Sequence, residues 1–547
     1  MEPEQDHIPK HQFDLIIIGG GIIGCGIARE ARLRGISVAL FEKGDFASGT
    51  SGKTSSLIHG GIRYLEQGAF GLVRESLEER HKLLHLAPHL VSPLPFLFPI
   101  YAGRSRRKLS VQIGMALYNY FAGDKSVGPH RFLSTAQVLF MEPNLASQGL
   151  HGAALFSDCQ MDDARLCLAA LNSAKDMGAA VFNYTEVISL IRHGRKVCGV
   201  RVKEIESGTA ATDGAATAGG TAIANGKEYD VEAGVVINAA GAWSDTICRM
   251  EGVPAQRRVR LTKGIHLVLP KITQKHAVIL SGHEKERIFF VMPWREHSLI
   301  GTTDTDYQGD PNHVAPDDDE VKSLLSEATA FFPVVAQEKV LARFSALRPL
   351  SYSRKKNPLT LSRKERIEWT AGGMLVVSGG KFTLFRKIAE RVIDSIIKTH
   401  PRLPALKRPD SEPLLHGAPT VPINVYIQRE SARKPLSVGQ ELLGHLIRAY
   451  GTNYQAVLDC ANGNPRLLKP LTALGYPILA EATYAVRNEK ALHLSDFMLR
   501  RTRMAHGPYR NSLKLIQTIV KRMGTELGWS SEQMLQEFQS YLEETAE

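Results

Sequence analysis

Cysteine and long apolar runs are both scarce in this chain of 547 residues. The six cysteines lie far apart and form no CxxC pair, so neither a disulfide framework nor a zinc site is predicted, and no metal is expected. Such cysteine usage is typical of a reducing compartment. The most apolar long stretch, residues 90–103, contains three prolines and is too short to be predicted as a membrane-spanning helix.

The N-terminal segment lacks the features of a targeting signal. MEPEQDHIPKHQ is acidic and has no apolar core, so neither a secretory signal nor an Arg-rich transit peptide is predicted. Acidic residues are outnumbered by basic ones, 56 against 67, which gives a formal net charge of +11 and favours anionic partners such as phosphate esters or acidic lipids. With 43% hydrophobic and 22% charged residues, the composition is that of an ordinary globular protein.

A glycine-rich turn near the N-terminus carries the clearest chemical signal. FDLIIIGGGIIGCGIAREARLRGISVALFEK, which begins at Phe13, has the pattern of a buried strand, a turn, a helix and a second strand. Gly19, Gly21 and Gly24 have GxGxxG spacing, which allows a tight turn, close approach of the backbone to a pyrophosphate, and close packing of helix on strand. Glu42 ends the second strand, where it can accept ribose hydroxyls. Dinucleotide binding is therefore predicted.

Three later segments extend this prediction. The run GDFASGTSGKTSSLIHGGIRYLE is a loop whose hydroxyls and amides are expected to line the cofactor, because the chain passes the pyrophosphate as it leaves the second strand. Residues 234–245 form a buried strand that ends in small residues. Residues 375–378 form another strand, followed by a glycine pair and by a helix over 383–397.

Two regions have a different character. Residues 207–226 consist largely of Ala, Gly and Thr, which predicts a flexible loop at the tip of an expanded hairpin, and no function is assigned to it. From about residue 415 the apolar spacing becomes helical and no further glycine turn follows a strand. The sequence therefore predicts a separate helical region over 415–547.

Taken together, these motifs resemble the flavin-dependent glycerol-3-phosphate dehydrogenase family, within the D-amino-acid-oxidase-like flavoproteins. Besides the glycine turn, the resemblance covers SSLIHGGIRYLE, SDCQMDDARL, GIHLVLP, IFFVMPW, IGTTDTDYQGDP, SALRPL, SGGKFTLFRKIAE and, in the helical region, LRRTRM. It extends from about residue 13 to residue 510. The Ala/Gly/Thr loop and the polar N-terminal extension depart from the family pattern.

The resemblance implies the fold class and the domain organisation. We expect an α/β (α+β overall) protein in which a Rossmann-like FAD-binding domain is interleaved with an antiparallel-sheet substrate domain and followed by a C-terminal helical domain. The expected boundaries are 13–75, 150–255 and 365–400 for the FAD-binding domain, 76–149 and 256–364 for the substrate domain, and 415–547 for the helical domain.

The resemblance also implies the reaction. sn-Glycerol 3-phosphate would be oxidised at C2 to dihydroxyacetone phosphate, with hydride transfer to FAD and onward transfer of electrons to ubiquinone or menaquinone. FAD is expected to be bound noncovalently, because no sequence feature demands a covalent linkage. The oligomeric state stays open, with a homodimer as the candidate.

A phosphorylated alcohol needs cations for the phosphate and a group that takes the hydroxyl proton. By resemblance, Arg348 and Lys381 face substrate and flavin, and Arg63 and Tyr64 help to hold the phosphate. His266 is the preferred proton acceptor because it alternates with apolar neighbours along a strand, and His59 is the alternative. The catalytic residues are thus expected to be His266, Arg348 and Lys381, with Thr303 as a further substrate contact.

The residues expected at the cofactor are Gly19, Gly21, Gly24, Glu42, Lys43, Thr50, Ser51, Ser55, Ser56, His59, Gly60, Gly61, Val187, Ala239, Gly241, Trp243, Asp304, Gly380, Lys381, Phe382 and Thr383.

A basic segment followed by an apolar one predicts contact with an anionic lipid surface. Arg104, Arg106, Arg107 and Lys108 directly precede an apolar and aromatic stretch, a pattern that fits interfacial anchoring, although a core helix with a solvated basic start has the same pattern. The expected location is therefore the cytoplasm, peripheral on the inner face of the cell membrane.

Other functions are compatible with some of the same residues. A soluble oxidase of glycerol 3-phosphate that uses oxygen, and an amine or amino-acid oxidase of the same fold, stay open. Nucleic-acid binding is not expected, because the basic residues are spread along the chain without interleaved aromatic residues. The repeated strand–glycine ends make a non-enzymatic lipid-binding protein a poor alternative.

Overall fold

The computed structural model describes residues 12–66, 68–103, 108–128, 130–205, 226–252, 257–282, 287–352, 364–433 and 438–546. The described residues do not include Arg104, Arg106, Arg107 or nearly all of the Ala/Gly/Thr loop. They also do not include the side chains of Arg63 and Lys108. The strands are β1 Phe13–Ile18, β2 Val38–Phe41, β3 Leu57–Ile58, β4 Val91–Tyr101, β5 Arg131–Leu133, β6 Leu150–Met161, β7 Ala180–Phe182, β8 Thr185–His193, β9 Lys196–Glu204, β10 Glu228–Asn238, β11 Val259–Leu269, β12 Ala277–Ser281, β13 Ile288–Trp294, β14 His297–Gly301, β15 Thr305–Tyr307, β16 Ala342–Ser351, β17 Arg366–Trp369 and β18 Leu375–Ser378. The α-helices are α1 Ile22–Leu33, α2 Arg63–Glu66, α3 Phe70–Leu86, α4 Lys108–Ala122, α5 Thr135–Met141, α6 Asp163–Asp176, α7 Ser244–Arg249, α8 Asp318–Thr329, α9 Phe385–Thr399, α10 Ile423–Ala432, α11 Gln440–Tyr450, α12 Tyr454–Asp459, α13 Leu479–Glu489, α14 Leu513–Leu527 and α15 Ser531–Ala546.

The first sheet has the strand order β17-β18-β10-β1-β2-β7, and the pairs from β18 to β7 are parallel. Because β1 and β2 are buried on both faces, they are nearly continuous apolar runs, as parallel strands usually are. Helices α1, α6 and α9 pack on one face through a large apolar core. The carboxyl ends of β1, β2, β10 and β18 therefore meet at one edge of the sheet, where ligands of such sheets bind.

The hairpin β9–β10 branches from the first sheet at strand β10. Strand β9 pairs antiparallel with both β8 and the first half of β10. The predicted loop at the hairpin tip lies outside the described residues, but the two strands flanking it pair as expected.

The second sheet has the order β15-β11-β14-β13-β12-β4-β6-β3, with β16 paired to β11 and β5 to β6. Its pairs are antiparallel apart from β4–β12. Strand β6 belongs to this sheet, although the predicted boundary at residue 150 places it with the first. The reason is a long antiparallel ladder, in which β6 pairs with β4 from Leu150 to Met161.

The chain beyond residue 422 is helical in the part that the structure describes, with two apolar cores of its own. The predicted fold class, with two interleaved sheets and a C-terminal helical domain, is confirmed. Within the described residues, no helix is long and apolar enough to cross a membrane.

Candidate active site

The glycine turn between β1 and α1 closes tightly on itself. Gly19 has φ +111°, a conformation that favours glycine, and its N–H donates to the Phe41 carbonyl at 2.8 Å. A Cβ on Gly24 would lie 2.0 Å from the Gly19 carbonyl oxygen. The three glycines thus occupy the places that a dinucleotide turn requires, with Gly24 packed beneath the turn.

Glu42 is held against this turn from the end of β2. Its carboxylate accepts hydrogen bonds from the Gly20 N–H at 2.7 Å and from the Gly44 N–H at 2.9 Å. Burial raises the pKa of Glu42, and the two backbone bonds oppose that shift. Glu42 also lines a large cleft, where the sequence predicts a ribose contact.

A cleft of about 850 Å³ runs from the strand ends of the first sheet to the second sheet. It is large for a small-molecule site, since most ligand pockets have between roughly 300 and 1,000 Å³. The predicted cofactor residues that line it are Gly19, Gly21, Glu42, Lys43, Thr50, Ser51, Ser55, His59, Val187, Ala239, Gly241, Trp243, Gly380, Lys381, Phe382 and Thr383. These residues come from segments far apart in sequence, and the fold brings them to one surface.

The other predicted cofactor residues lie elsewhere. The Ser56 side chain is buried and accepts a hydrogen bond from Trp294 Nε1 at 3.2 Å. The Gly60 N–H donates to the hydroxyl of Tyr118 at 3.0 Å, behind the cleft wall. Gly61 and Asp304 line a second, smaller cavity of about 150 Å³.

This smaller cavity adjoins the cleft and is lined by the predicted substrate residues Tyr64, Thr303 and Arg348. Both cavities are lined by Ser55, Leu57, His59, Tyr64, Phe290 and Arg348. Thr302 and Thr303 line the small cavity only, and His266 and Lys381 line the cleft only. The predicted catalytic groups are therefore brought together where the two cavities meet. The side chain of Arg63 lies outside the described residues.

His266 lies on β11 with its ring almost completely buried, at 3% exposure. Its Nε2 is 2.8 Å from Ser55 Oγ, and its ring stacks on Phe344 with centroids 5.1 Å apart. Burial, with a contribution from the Arg348 charge, lowers the pKa of His266 to about 3. The imidazole is therefore neutral near pH 7 and is a weak base in this environment. Its Nδ1 is buried with no hydrogen-bond partner in the described part of the chain.

Arg348 and Lys381 are both oriented by polar neighbours. Arg348 donates to Thr302 Oγ1 at 2.8 Å and to Asp304 Oδ1 at 3.1 Å. The Lys381 ammonium donates to Ser76 Oγ at 2.9 Å and lies 4.7 Å from the centre of the Tyr64 ring. Both side chains are largely buried, so their charges act in a medium that screens them weakly.

Arg287 is a third cation at this site that the sequence analysis did not identify. It forms a buried ion pair with Glu327, and its Nη1 is buried without a hydrogen-bond partner among the residues the structure describes. Arg287 lines the small cavity. Arg287 directly precedes the motif IFFVMPW, so its position next to that motif was the available signal.

Two further interactions were also missed. Asp158 accepts hydrogen bonds from Tyr118 Oη and Arg80 Nη1, both at 2.6 Å, and thereby supports the turn at Gly60. At the other end of the cleft, Asn312 Oδ1 accepts hydrogen bonds from Lys43 Nζ at 2.6 Å and from Trp243 Nε1 at 2.8 Å. Asn312 thus connects the second sheet to the predicted adenosine end of the cleft.

Comparisons with known proteins identify the family to which the chain is similar. Residues 14–386 match the family described as FAD dependent oxidoreductase, and residues 411–534 match the C-terminal domain of alpha-glycerophosphate oxidase. The chain is 34% identical to glycerol-3-phosphate dehydrogenase 2 of Mycobacterium bovis over 97% of this chain and 88% of that protein. It is 32% identical to glycerol-3-phosphate dehydrogenase of Synechocystis over 98% and 97% of the two chains.

A solved structure supports the same relationship. The glycerol-3-phosphate dehydrogenase from Bacillus halodurans, complexed with FAD, superposes with a TM-score of 0.75 and 26% identity. The superposition covers 100% of this chain and 96% of that one.

Proposed function

The chain belongs to the FAD-dependent oxidoreductase family and, within it, to the glycerol-3-phosphate dehydrogenases, and from that premise we propose that it oxidises sn-glycerol 3-phosphate to dihydroxyacetone phosphate and passes the electrons to a membrane quinone. The observation that carries the proposal is the small cavity beside the predicted flavin cleft, which is lined by two arginines, Arg287 and Arg348. A phosphate monoester is the ligand that paired guanidinium groups in a confined cavity suit.

The residues of the cleft fit FAD. The glycine turn leaves no room for a Cβ at Gly24, the cleft is lined by glycine, serine and threonine residues of the turn and of the loop after β2, and Glu42 lines it where a ribose contact is predicted. The turn, Glu42, Lys43 and Trp243 would hold the adenosine and pyrophosphate, and Lys381 with its neighbours would hold the flavin. When bound, FAD supplies the acceptor for the hydride.

The chain's own residues supply binding and proton transfer. Arg287 and Arg348 bind the phosphate end of the substrate in the small cavity, and Tyr64 closes its wall. Neutral His266 accepts the proton of the C2 hydroxyl, and the Ser55 contact fixes the orientation of its ring. Arg348 and Lys381 also stabilise the negative charge that develops as the hydroxyl proton leaves.

The direct test is the visible spectrum of the purified protein under anaerobic conditions. Glycerol 3-phosphate should bleach the flavin band, whereas glycine and D-alanine should leave it unchanged. Bleaching by an amino acid without bleaching by glycerol 3-phosphate would instead support an amino-acid oxidase. Reoxidation should be faster with a quinone analogue in lipid vesicles than with dissolved oxygen, and the reverse order would support a soluble oxidase.

Arg287 gives the proposal a specific mutational test. Arg287→Met, combined with Glu327→Gln so that no buried carboxylate loses its partner, should raise KM for glycerol 3-phosphate by roughly tenfold or more, since a charged hydrogen bond contributes a few kcal/mol. Inhibition by inorganic phosphate should weaken in parallel. The matched control is Arg260→Met, because Arg260 also forms an ion pair in the same sheet, with the more exposed Asp306, but lies outside both cavities. An unchanged KM would place the phosphate elsewhere.

Membrane attachment is part of the proposal, at the inner face of the cell membrane and through helix α4. Val111, Met115 and Tyr118 form the buried face of this helix, while Ile113, Leu117 and Tyr120 are exposed on another face, with Tyr120 at 79%. Exposed Phe70 lies beside them through its ring contact with Phe121. The basic segment at 104–108 precedes this apolar face in sequence, and such a combination suits an anionic lipid surface.

Replacing Ile113, Leu117 and Tyr120 with serine should weaken binding to anionic vesicles by roughly 10-fold or more. The reason is that moving each exposed apolar side chain from water into the lipid surface lowers the free energy of the bound state. A vesicle sedimentation assay measures the loss. The matched control replaces Leu406, Val425 and Leu535, which are exposed apolar side chains elsewhere. Activity with a soluble dye should survive in both triple variants. Equal sedimentation of the two would mean that α4 does not dock on lipid.

A further inference from the structure

Three arginines of the C-terminal helical domain lie against the loop that follows β2. Arg500, Arg501 and Arg503, called here the arginine cluster, belong to one short segment, LRRTRM. The cofactor loop is defined as residues 43–54, most of which line the large cleft. The arginine cluster and the cofactor loop are more than 440 residues apart in sequence. The arginine side chains contact the loop in a buried interface.

Asp45 is the first anchor point of the loop. Its carboxylate is buried and forms ion pairs with both Arg500 and Arg501, including a hydrogen bond of 3.0 Å from Arg501 Nη2. Arg500 is also paired with Asp496 at 2.5 Å, and Arg501 Nη2 donates to the Glu489 carbonyl at 2.7 Å. Buried charges of this kind persist only when each is paired and hydrogen-bonded, so the contact is geometrically demanding.

Arg503 is the second anchor point, at the other end of the loop. Its Nη1 donates to the Gly52 carbonyl at 2.5 Å, and its Nη2 pairs with buried Asp163. Asp163 in turn accepts hydrogen bonds from the backbone N–H of Thr54 at 2.9 Å and from its hydroxyl at 2.7 Å. Arg503 therefore holds the loop both directly and through Asp163.

The part of the loop between the two anchors faces the cleft. Ser51 Oγ accepts a hydrogen bond from the Ile22 N–H at 2.9 Å, which joins the loop to the start of α1. Thr50 Oγ1 donates to the Leu347 carbonyl at 2.5 Å, one residue before Arg348. A displacement at Asp45 or Gly52 would therefore be passed to the pyrophosphate turn and to the strand that carries Arg348.

We propose that the arginine cluster is a cofactor-retention device, through which the C-terminal helical domain holds the cofactor loop in the shape that binds FAD. The three arginines are positioning residues, since none of them lines either cavity. The proposal rests on the chain's membership of an FAD-dependent family and is independent of the substrate.

The test measures FAD affinity rather than turnover. Arg503→Met and the charge-balanced double variant Asp45→Asn/Arg501→Met are prepared as holoenzymes, and FAD release after dilution is followed by flavin fluorescence. We expect the dissociation constant of FAD to rise by about 10- to 100-fold in each. Arg501→Lys keeps the positive charge but loses the planar pair of guanidinium donors, so its FAD dissociation constant should lie between those of these variants and that of the parent. The control is Arg487→Met, which breaks a more exposed ion pair with Glu526 inside the same domain.

Thermal unfolding of the apoproteins distinguishes retention from general stability. The proposal requires the apoprotein midpoints of parent and double variant to be similar while FAD affinity differs. An unchanged FAD dissociation constant in both variants would overturn it. So would a fall in apoprotein stability large enough to account for the FAD loss, because the cluster would then act on the whole fold. Absence of bleaching by glycerol 3-phosphate would overturn the proposed substrate but leave this result intact.

Discussion

Replacing Arg348 with alanine is expected to lower kcat/KM for glycerol 3-phosphate by on the order of 100-fold or more, the size usual for the loss of a buried charged contact to a transition state. Arg348 lines both cavities, and Thr302 and Asp304 fix its guanidinium group at their junction. A side chain in that position can contact the phosphate and the charge developing at C2. Steady-state kinetics with a soluble dye measures the effect.

The flavin content of the Arg348 variant should stay near that of the parent, since Arg348 is not among the residues of the glycine turn. Lys381→Ala should cause a loss of similar size, because its ammonium lies at the same junction. Arg260→Ala serves as the control for removing an arginine from the second sheet. A flavin-replete Arg348 variant with the parent's rate would exclude Arg348 from the site, and the same holds for Lys381.

A pH profile gives a second readout for Arg348. Burial is the larger cause of the lowered pKa of His266, and the Arg348 charge adds to it. Removing the charge should therefore raise the pKa of His266 toward its usual value without restoring it fully. If His266 is the proton acceptor, the acid limb of kcat/KM should move to higher pH in Arg348→Ala. If the limb does not move, His59 becomes the stronger candidate.

Local sequence patterns predicted the parts of the site that local physics determines. The glycine turn, helix α1 after it and Glu42 at the end of β2 depend on residues close in sequence. The spacing of these residues alone indicated the structure. The strand at 375–378 and the glycine pair after it follow the same logic. The roles of the individual site residues stay predictions, because placement in a cavity does not test them.

Contacts between distant segments were not accessible in this way. Ser55 was expected at the cofactor, and it also contacts His266, which is 211 residues away. Arg287 and Glu327 meet only because β13 and α8 pack on the same sheet. Asp45 and Arg501 are 456 residues apart. Such pairs depend on sheet register and domain docking, which no local pattern encodes.

The net charge of +11 gave little guidance to the site, because many cations are used inside the fold. Arg80 is paired with Asp158, and Arg386 with Glu79 and Glu412, all in largely buried positions. In each of these contacts the charge of the arginine is offset by largely buried carboxylates, so these cations are part of the core rather than of a ligand site. The informative cations are those that line a cavity, and Arg287 is one that the sequence analysis did not identify.

Gly24→Ala is expected to abolish most FAD binding, leaving the flavin-to-protein ratio below about a tenth of the parent value. The added Cβ would lie 2.0 Å from the Gly19 carbonyl oxygen, so either the helix or the turn must move. The turn has little freedom, because a Cβ on Gly19 would in turn meet the Ala239 carbonyl oxygen at 2.7 Å and its φ of +111° is already one that favours glycine. Overpacking of this kind distorts the backbone locally.

Gly71→Ala separates this effect from a general one, because a Cβ at Gly71 would meet no atom within 4 Å. The absorbance ratio of flavin to protein after gel filtration measures both variants. A Gly24 variant that retains FAD like the parent would show that α1 can shift without opening the pyrophosphate turn. In that case the hydrogen bond from Ile22 to Ser51, rather than the close packing of Gly24, would be the contact that keeps the turn in place.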